Sequence, residues 1–157
     1  MRTLVGCVIR LVFATAMLCA SVASAQEINV DAALAQAEEA REEVVRANIL
    51  LTGETAEDFW ALYKEYRATL GPVQNDQVNL VVEYSKVYTD ISDAQATRLF
   101  NQMLALRKRE SEIKAEYLEK FRQILSPKHA MRYAQIEHKL DTAIQWDAAV
   151  NIPLIDQ

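Results

Sequence analysis

From Glu54 onward, apolar residues recur at helical steps. Phe59, Tyr63, Tyr66, Leu70, Val73, Leu80, Tyr84 and Val87 follow one another at three- or four-residue spacing, with Gln77 filling the one gap. That is the apolar stripe of an amphipathic helix. Gly71 and Pro72 interrupt it, yet the stripe keeps its phase across them. This predicts one long helix, kinked at the proline and ending near Thr89. A second stripe, Leu99, Met103, Leu106, Ile113, Tyr117, Phe121 and Ile124, predicts a helix that opens at Ser92. It should run roughly 48 Å at a rise of about 1.5 Å per residue. Its middle, from Arg107 to Glu116, is mostly charged and reads as a solvated face. Upstream, Val30 to Asn48 is rich in alanine and glutamate and predicts a helix with a thin apolar face. Downstream, Pro127 opens a fourth helix that reaches about Trp146. The remaining residues, 147–157, form an apolar tail in which Ile152, Leu154 and Ile155 flank Pro153.

Breakers are scarce. Residues 26–157 contain only Gly53, Gly71, Pro72, Pro127 and Pro153. A β-rich domain needs more turns than these can make. The fold class is all-α: an elongated helical hairpin or four-helix bundle with long antiparallel helices. A chain this short cannot wrap a thick core around helices this long. One face should be poorly covered, and a homodimer would cover it.

The first segment stands apart. Arg2 and Arg10 precede an apolar run from Leu11 to Ala20, and Ala23, Ser24 and Ala25 close it in an Ala-x-Ala arrangement. No acidic residue occurs before Glu27. This reads as a secretory signal peptide over 1–25, leaving 26–157 as a single helical domain. The apolar run is short of the roughly 20 residues that span a bilayer, so no stable membrane insertion of the mature chain is expected. Both cysteines, Cys7 and Cys19, fall in this segment, and neither sits in a convincing lipobox. The mature chain therefore has no disulfide and depends on helix packing or oligomerisation. The formal net charge of −5 includes Arg2 and Arg10, so residues 26–157 carry −7. That argues against nucleic acid as a partner.

One pattern opens three helices. Leu51, Thr52 and Ala56, then Ile91, Ser92 and Ala96, then Leu125, Ser126 and Ala130 each give an aliphatic residue, a hydroxyl residue, three variable positions and an alanine. Helix capping accounts for it, because an N-cap hydroxyl accepts a hydrogen bond from a free N–H of the first turn. Ser92 with Gln95 forms a capping box, and Pro127 sits where a missing N–H costs nothing.

The same residues resemble a family. Ile91, Ser92 and Gln95 are similar to the Leu-Thr-x-x-Gln signature of the periplasmic Spy/CpxP-like envelope-stress proteins. Leu51 and Thr52 match its start, with Thr55 in the glutamine place. Leu125 and Ser126 match again, with His129 there. The stretch from Phe59 to Tyr66 and the close from Tyr133 to Leu140 look nearer to the family's uncharacterised branch. The resemblance implies a periplasmic, dimeric helical cradle that holds unfolded proteins without ATP.

Few residues suggest chemistry. His129 and His138 lie half a turn out of phase on one helix and cannot share a metal. His138 with Asp141 is a weak candidate pair, far short of the three or four converging ligands that zinc takes. No nucleophile motif, phosphate loop or metalloprotease motif appears. No enzyme activity and no cofactor are expected. Phe59, Tyr63 and Tyr66 fit a core stripe, with Trp60 near its edge. The same aromatics, together with Leu99, Met103, Leu106, Ile152 and Leu154, are also the candidate client- or partner-binding residues. The expected function is a chaperone-like holdase for unfolded or envelope proteins. The alternative is a regulatory accessory, or a metal- or stress-responsive protein, that docks on one envelope partner.

Overall fold

A computed structural model describes residues 30–155, without the side chains of 30–34 and 147. The signal peptide expected over 1–25 lies outside the described residues. Four helices follow in order: α1 (Val30–Asn48), α2 (Gly53–Ser85), α3 (Asp93–Ile124) and α4 (Pro127–Asn151). The described residues contain no strand. The fold is all-α.

Local chemistry explains most boundaries. At the start of α3, Ser92 Oγ accepts from the Gln95 N–H (3.3 Å) and Gln95 Oε1 accepts from the Ser92 N–H (3.0 Å), so the capping box is formed. At the start of α4, Ser126 Oγ accepts from the His129 N–H (3.3 Å) with Pro127 in the first turn. Thr52 is different, because its hydroxyl makes no capping bond. The next residue, Gly53, has φ +60°, in the left-handed region that glycine enters at little cost. The chain turns there and carries the Thr52 hydroxyl away from the free N–H groups.

Two ends differ from expectation. Helix α2 passes through Gly71 and Pro72 as a single element but stops at Ser85 rather than Thr89. Lys86 and Val87 donate to carbonyls three residues back, Glu83 and Tyr84, and this tightening ends the α-helical ladder. Helix α4 runs five residues past Trp146, to Asn151. Nothing in that stretch breaks a helix until Pro153, so the tail proper begins at Ile152.

Side-chain pairs fix the directions. Glu83 pairs with Arg98, Gln77 with Glu110, and Thr69 with Tyr117. Partners descend α2 as they climb α3, so the two run antiparallel. Arg41 of α1 meets Glu137 and Asp141 of α4, and Lys114 of α3 meets Asp141. The Tyr84 hydroxyl donates to the Pro153 carbonyl (2.8 Å), which ties the tail to the far end of α2.

The core is asymmetric. At the end where α1 joins, Phe59, Tyr63, Tyr66, Tyr117, Phe121 and Tyr133 form a continuous aromatic cluster. Ring centroids are 4.4 Å apart for Phe121–Tyr133, 5.1 Å for Phe59–Tyr133 and 5.3 Å for Tyr66–Tyr117. Val45, Ile49, Leu70, Val73, Ile113, Leu125, Ile136 and Leu140 fill the space around it. Beyond Val73 on α2 and before Ile113 on α3, Leu99 alone is fully buried among the described residues. The end of α4 and the tail lie beside the α2–α3 pair there, but leave both stripes partly open.

Candidate functional site

The predicted binding residues divide between the two halves. Phe59, Tyr63 and Tyr66 lie inside the core. Trp60 is half-buried, with the Arg46 guanidinium stacked 3.6 Å from its ring centroid, a cation–π contact. None of these four forms an open surface. Leu99 is buried, and Met103 and Leu106 are half-buried along the inner side of α3. Ile152 is half-buried, whereas Leu154 is 88% exposed.

The open apolar residues are mostly others. Phe100 and Leu104 stand on α3 one step round from the Leu99 stripe, and Val81 stands on α2. Ile144, Trp146 and Val150 line the last turns of α4, and Leu154 and Ile155 follow in the tail. Trp146 is 73% exposed and Phe100 is 56% exposed. These belong to the distal half, at the end away from the aromatic core, whereas Leu50, Leu118 and Met131 are exposed at the proximal end. The sequence carried a signal for part of this. Phe100 and Leu104 are four apart and Leu118 lies fourteen beyond Leu104, so α3 bears a second, sparser stripe. Nothing in the sequence says which of two stripes on one helix finds a partner.

A polar network crosses the bundle between the two halves. Arg41 is 4% exposed and donates to Glu137 Oε2 (2.8 Å) and Asp141 Oδ1 (2.7 Å). Asp141 Oδ2 also accepts from Lys114 (2.7 Å), which bonds Glu110, which in turn accepts from Gln77. The Tyr66 hydroxyl completes the set on Glu137 Oε2 (3.3 Å). All four helices contribute. Burial pushes the Asp141 carboxyl up, but Arg41 and Lys114 outweigh it and hold the group below the usual carboxylate range. Burial, reinforced by Glu137, raises the hydroxyls of Tyr63, Tyr66 and Tyr133 far above their usual value. These tyrosines stay neutral at any ordinary pH; Tyr66 donates to Glu137, whereas the Tyr63 and Tyr133 hydroxyls are buried without a hydrogen bond to the protein.

The same network includes one of the two weak metal candidates. Asp141 is taken by two cations, and His138, one turn before it on α4, is exposed. Among the described residues no three His, Cys, Asp or Glu side chains converge on one point. No helix of the described residues is long and apolar enough to cross a membrane. No protein-family model, curated protein or solved structure matches the chain.

Proposed function

We propose that the protein is a non-enzymatic, protein-binding helper of the bacterial periplasm, with a holdase-like role toward partly unfolded envelope proteins. The observation that carries the reading is the distal apolar surface, where Phe100, Leu104, Ile144, Trp146, Val150 and Leu154 are open to solvent on a well-packed all-helical body. Clustered exposed apolar residues mark binding surfaces in soluble proteins. The exposed residues come from α3, α4 and the tail, which suits clients of varied sequence better than one fixed ligand. A homodimer that covers part of it belongs to the same proposal. Its charge supports protein over nucleic acid as the partner.

The test uses residues 26–157 and two unrelated, chemically unfolded proteins, with light scattering as the readout. Suppression of both aggregations at modest molar excess is expected, and a Phe100→Ser, Trp146→Ser double variant should lose it while keeping its helical content. No suppression at several-fold excess rejects the holdase reading.

One observation favours a second reading. Tyr84 fixes the tail through the Pro153 carbonyl and leaves Leu154 fully presented. A held apolar peptide of this kind suits docking on one dedicated envelope partner. Removal of 152–157 then abolishes capture of that partner and leaves aggregation assays unchanged.

A further inference from the structure

A cleft of about 450 Å³ lies between α1 and α2 at the proximal end. That is within the range of about 300–1,000 Å³ that holds small molecules. Glu38, Glu39, Glu42 and Arg46 line it from α1. From α2 come Trp60, Tyr63, Lys64 and Arg67. Three acids and three bases therefore face one space. A bare anion would meet the carboxylates there and a bare cation the basic groups, so neither sign is favoured alone.

Most of this chemistry is already paired. Glu38 accepts from Arg67 Nε (2.8 Å) and Nη2, and Gln74 Oε1 accepts from the same Nη2 (2.7 Å). Glu42 accepts from Arg46 Nε (2.8 Å), and Arg46 stacks on Trp60. Four groups remain. Glu39 and Lys64 are exposed and form no ion pair with another described residue. Arg67 Nη1 and the Tyr63 hydroxyl are buried without a hydrogen bond to the protein. Tyr63 is 3% exposed, and the Arg67 side chain is 9% exposed. Buried polar groups in native proteins are nearly always satisfied. Two unpaired donors in the lining of one cleft point to a ligand that brings acceptors.

We propose that the cleft binds a small zwitterion, an α-amino acid with free amino and carboxyl groups. Its carboxylate accepts from Arg67 Nη1 and the Tyr63 hydroxyl, with Lys64 as a further cation, and its ammonium donates to Glu39. The two buried donors lie under the surface. Arg46 and Lys64, the long exposed side chains of the lining, swing aside as the carboxylate enters. Trp60 gives the ligand's own side chain an apolar wall. This site is separate from the distal apolar surface. Phe100 and Trp146 take no part in it, so either reading can fail without the other.

The chain has two tryptophans, which supplies the readout. In a Trp146→Phe variant of residues 26–157, Trp60 emission reports on the cleft. The probes are L-phenylalanine, N-acetyl-L-phenylalanine, which lacks the ammonium, and L-phenylalaninamide, which lacks the carboxylate. L-Phenylalanine should change the emission saturably at millimolar concentration or below, and each analogue should bind at least tenfold more weakly. Tyr63→Phe removes only an unpaired hydroxyl, so it should keep the parent's melting temperature and lose at least tenfold in affinity. Glu39→Gln should weaken L-phenylalanine alike and leave the weak binding of the acetylated analogue unchanged. No saturable change with L-phenylalanine overturns the proposal and leaves water as the partner of the two buried donors. Equal binding of all three probes overturns the zwitterion in favour of apolar contact with Trp60. Unaltered affinity in Tyr63→Phe overturns the seat of the carboxylate.

Discussion

The two ends of this molecule are built from the same helices and behave differently. Near α1, stripes from all four helices meet, and the aromatic residues of α2, α3 and α4 interlock at centroid distances near 5 Å. At the distal end the α2 and α3 stripes still face each other, but only Leu99 is fully enclosed, and Phe100 and Trp146 remain in water. Periodicity is the same in both halves. What differs is the number of elements that surround each stripe. A helix stripe becomes core only where at least two other surfaces close over it.

The largest effect should separate the halves directly. Phe59→Ala removes the centre of the aromatic cluster and should destabilise the protein by about 3–5 kcal/mol. Phe100→Ala removes a ring that is already solvated and should change stability by less than about 0.5 kcal/mol. Urea unfolding of both variants measures this, and comparable losses would break the distinction.

Acid sharpens it next. The Asp141 carboxyl is depressed in the folded state, so its contribution is fully present above the unfolded value of about 4 and is lost as pH falls through the folded value. The α1 and α4 amides that flank this network should therefore lose hydrogen-exchange protection below about pH 4. At the distal end the Glu83 carboxyl is held low by its bond from Arg98 but is exposed. Acid should leave protection there unchanged.

The helix starts give a smaller contrast. Ser92→Ala breaks a formed capping box at the distal end and should cost about 1 kcal/mol. Thr52→Ala, at the proximal end, removes a hydroxyl that caps nothing and should be close to neutral. Thermal melts compare the two. Gly53→Ala should cost about 1–2 kcal/mol, because its φ of +60° is strained for any residue with a Cβ.

The sequence by itself determined the helices. Spacing gave the Phe59–Val73 and Ile113–Phe121 stripes, and the hydroxyl-led starts at Ser92 and Ser126 gave two boundaries to the residue. Both follow from interactions within a few residues, which a one-dimensional pattern records. Thr52 misled because the φ of the following glycine, not the hydroxyl, sets that turn. Helix α4 continues past Trp146 because that residue closes no pattern of its own and Pro153 acts only from further on. Only the tertiary structure decided which apolar residues are core and which are surface. Tyr63 and Trp146 are both aromatic residues on helices. One meets the rings of Phe59, Trp60 and Tyr133, and the other lies past the reach of every covering element. The Arg41–Glu137–Asp141–Lys114 network was hidden for the same reason. Its members lie up to 100 residues apart, and a charged residue that will be buried has the same letter as one that stays in water. Burial depends on what lies across the bundle, which local spacing does not encode.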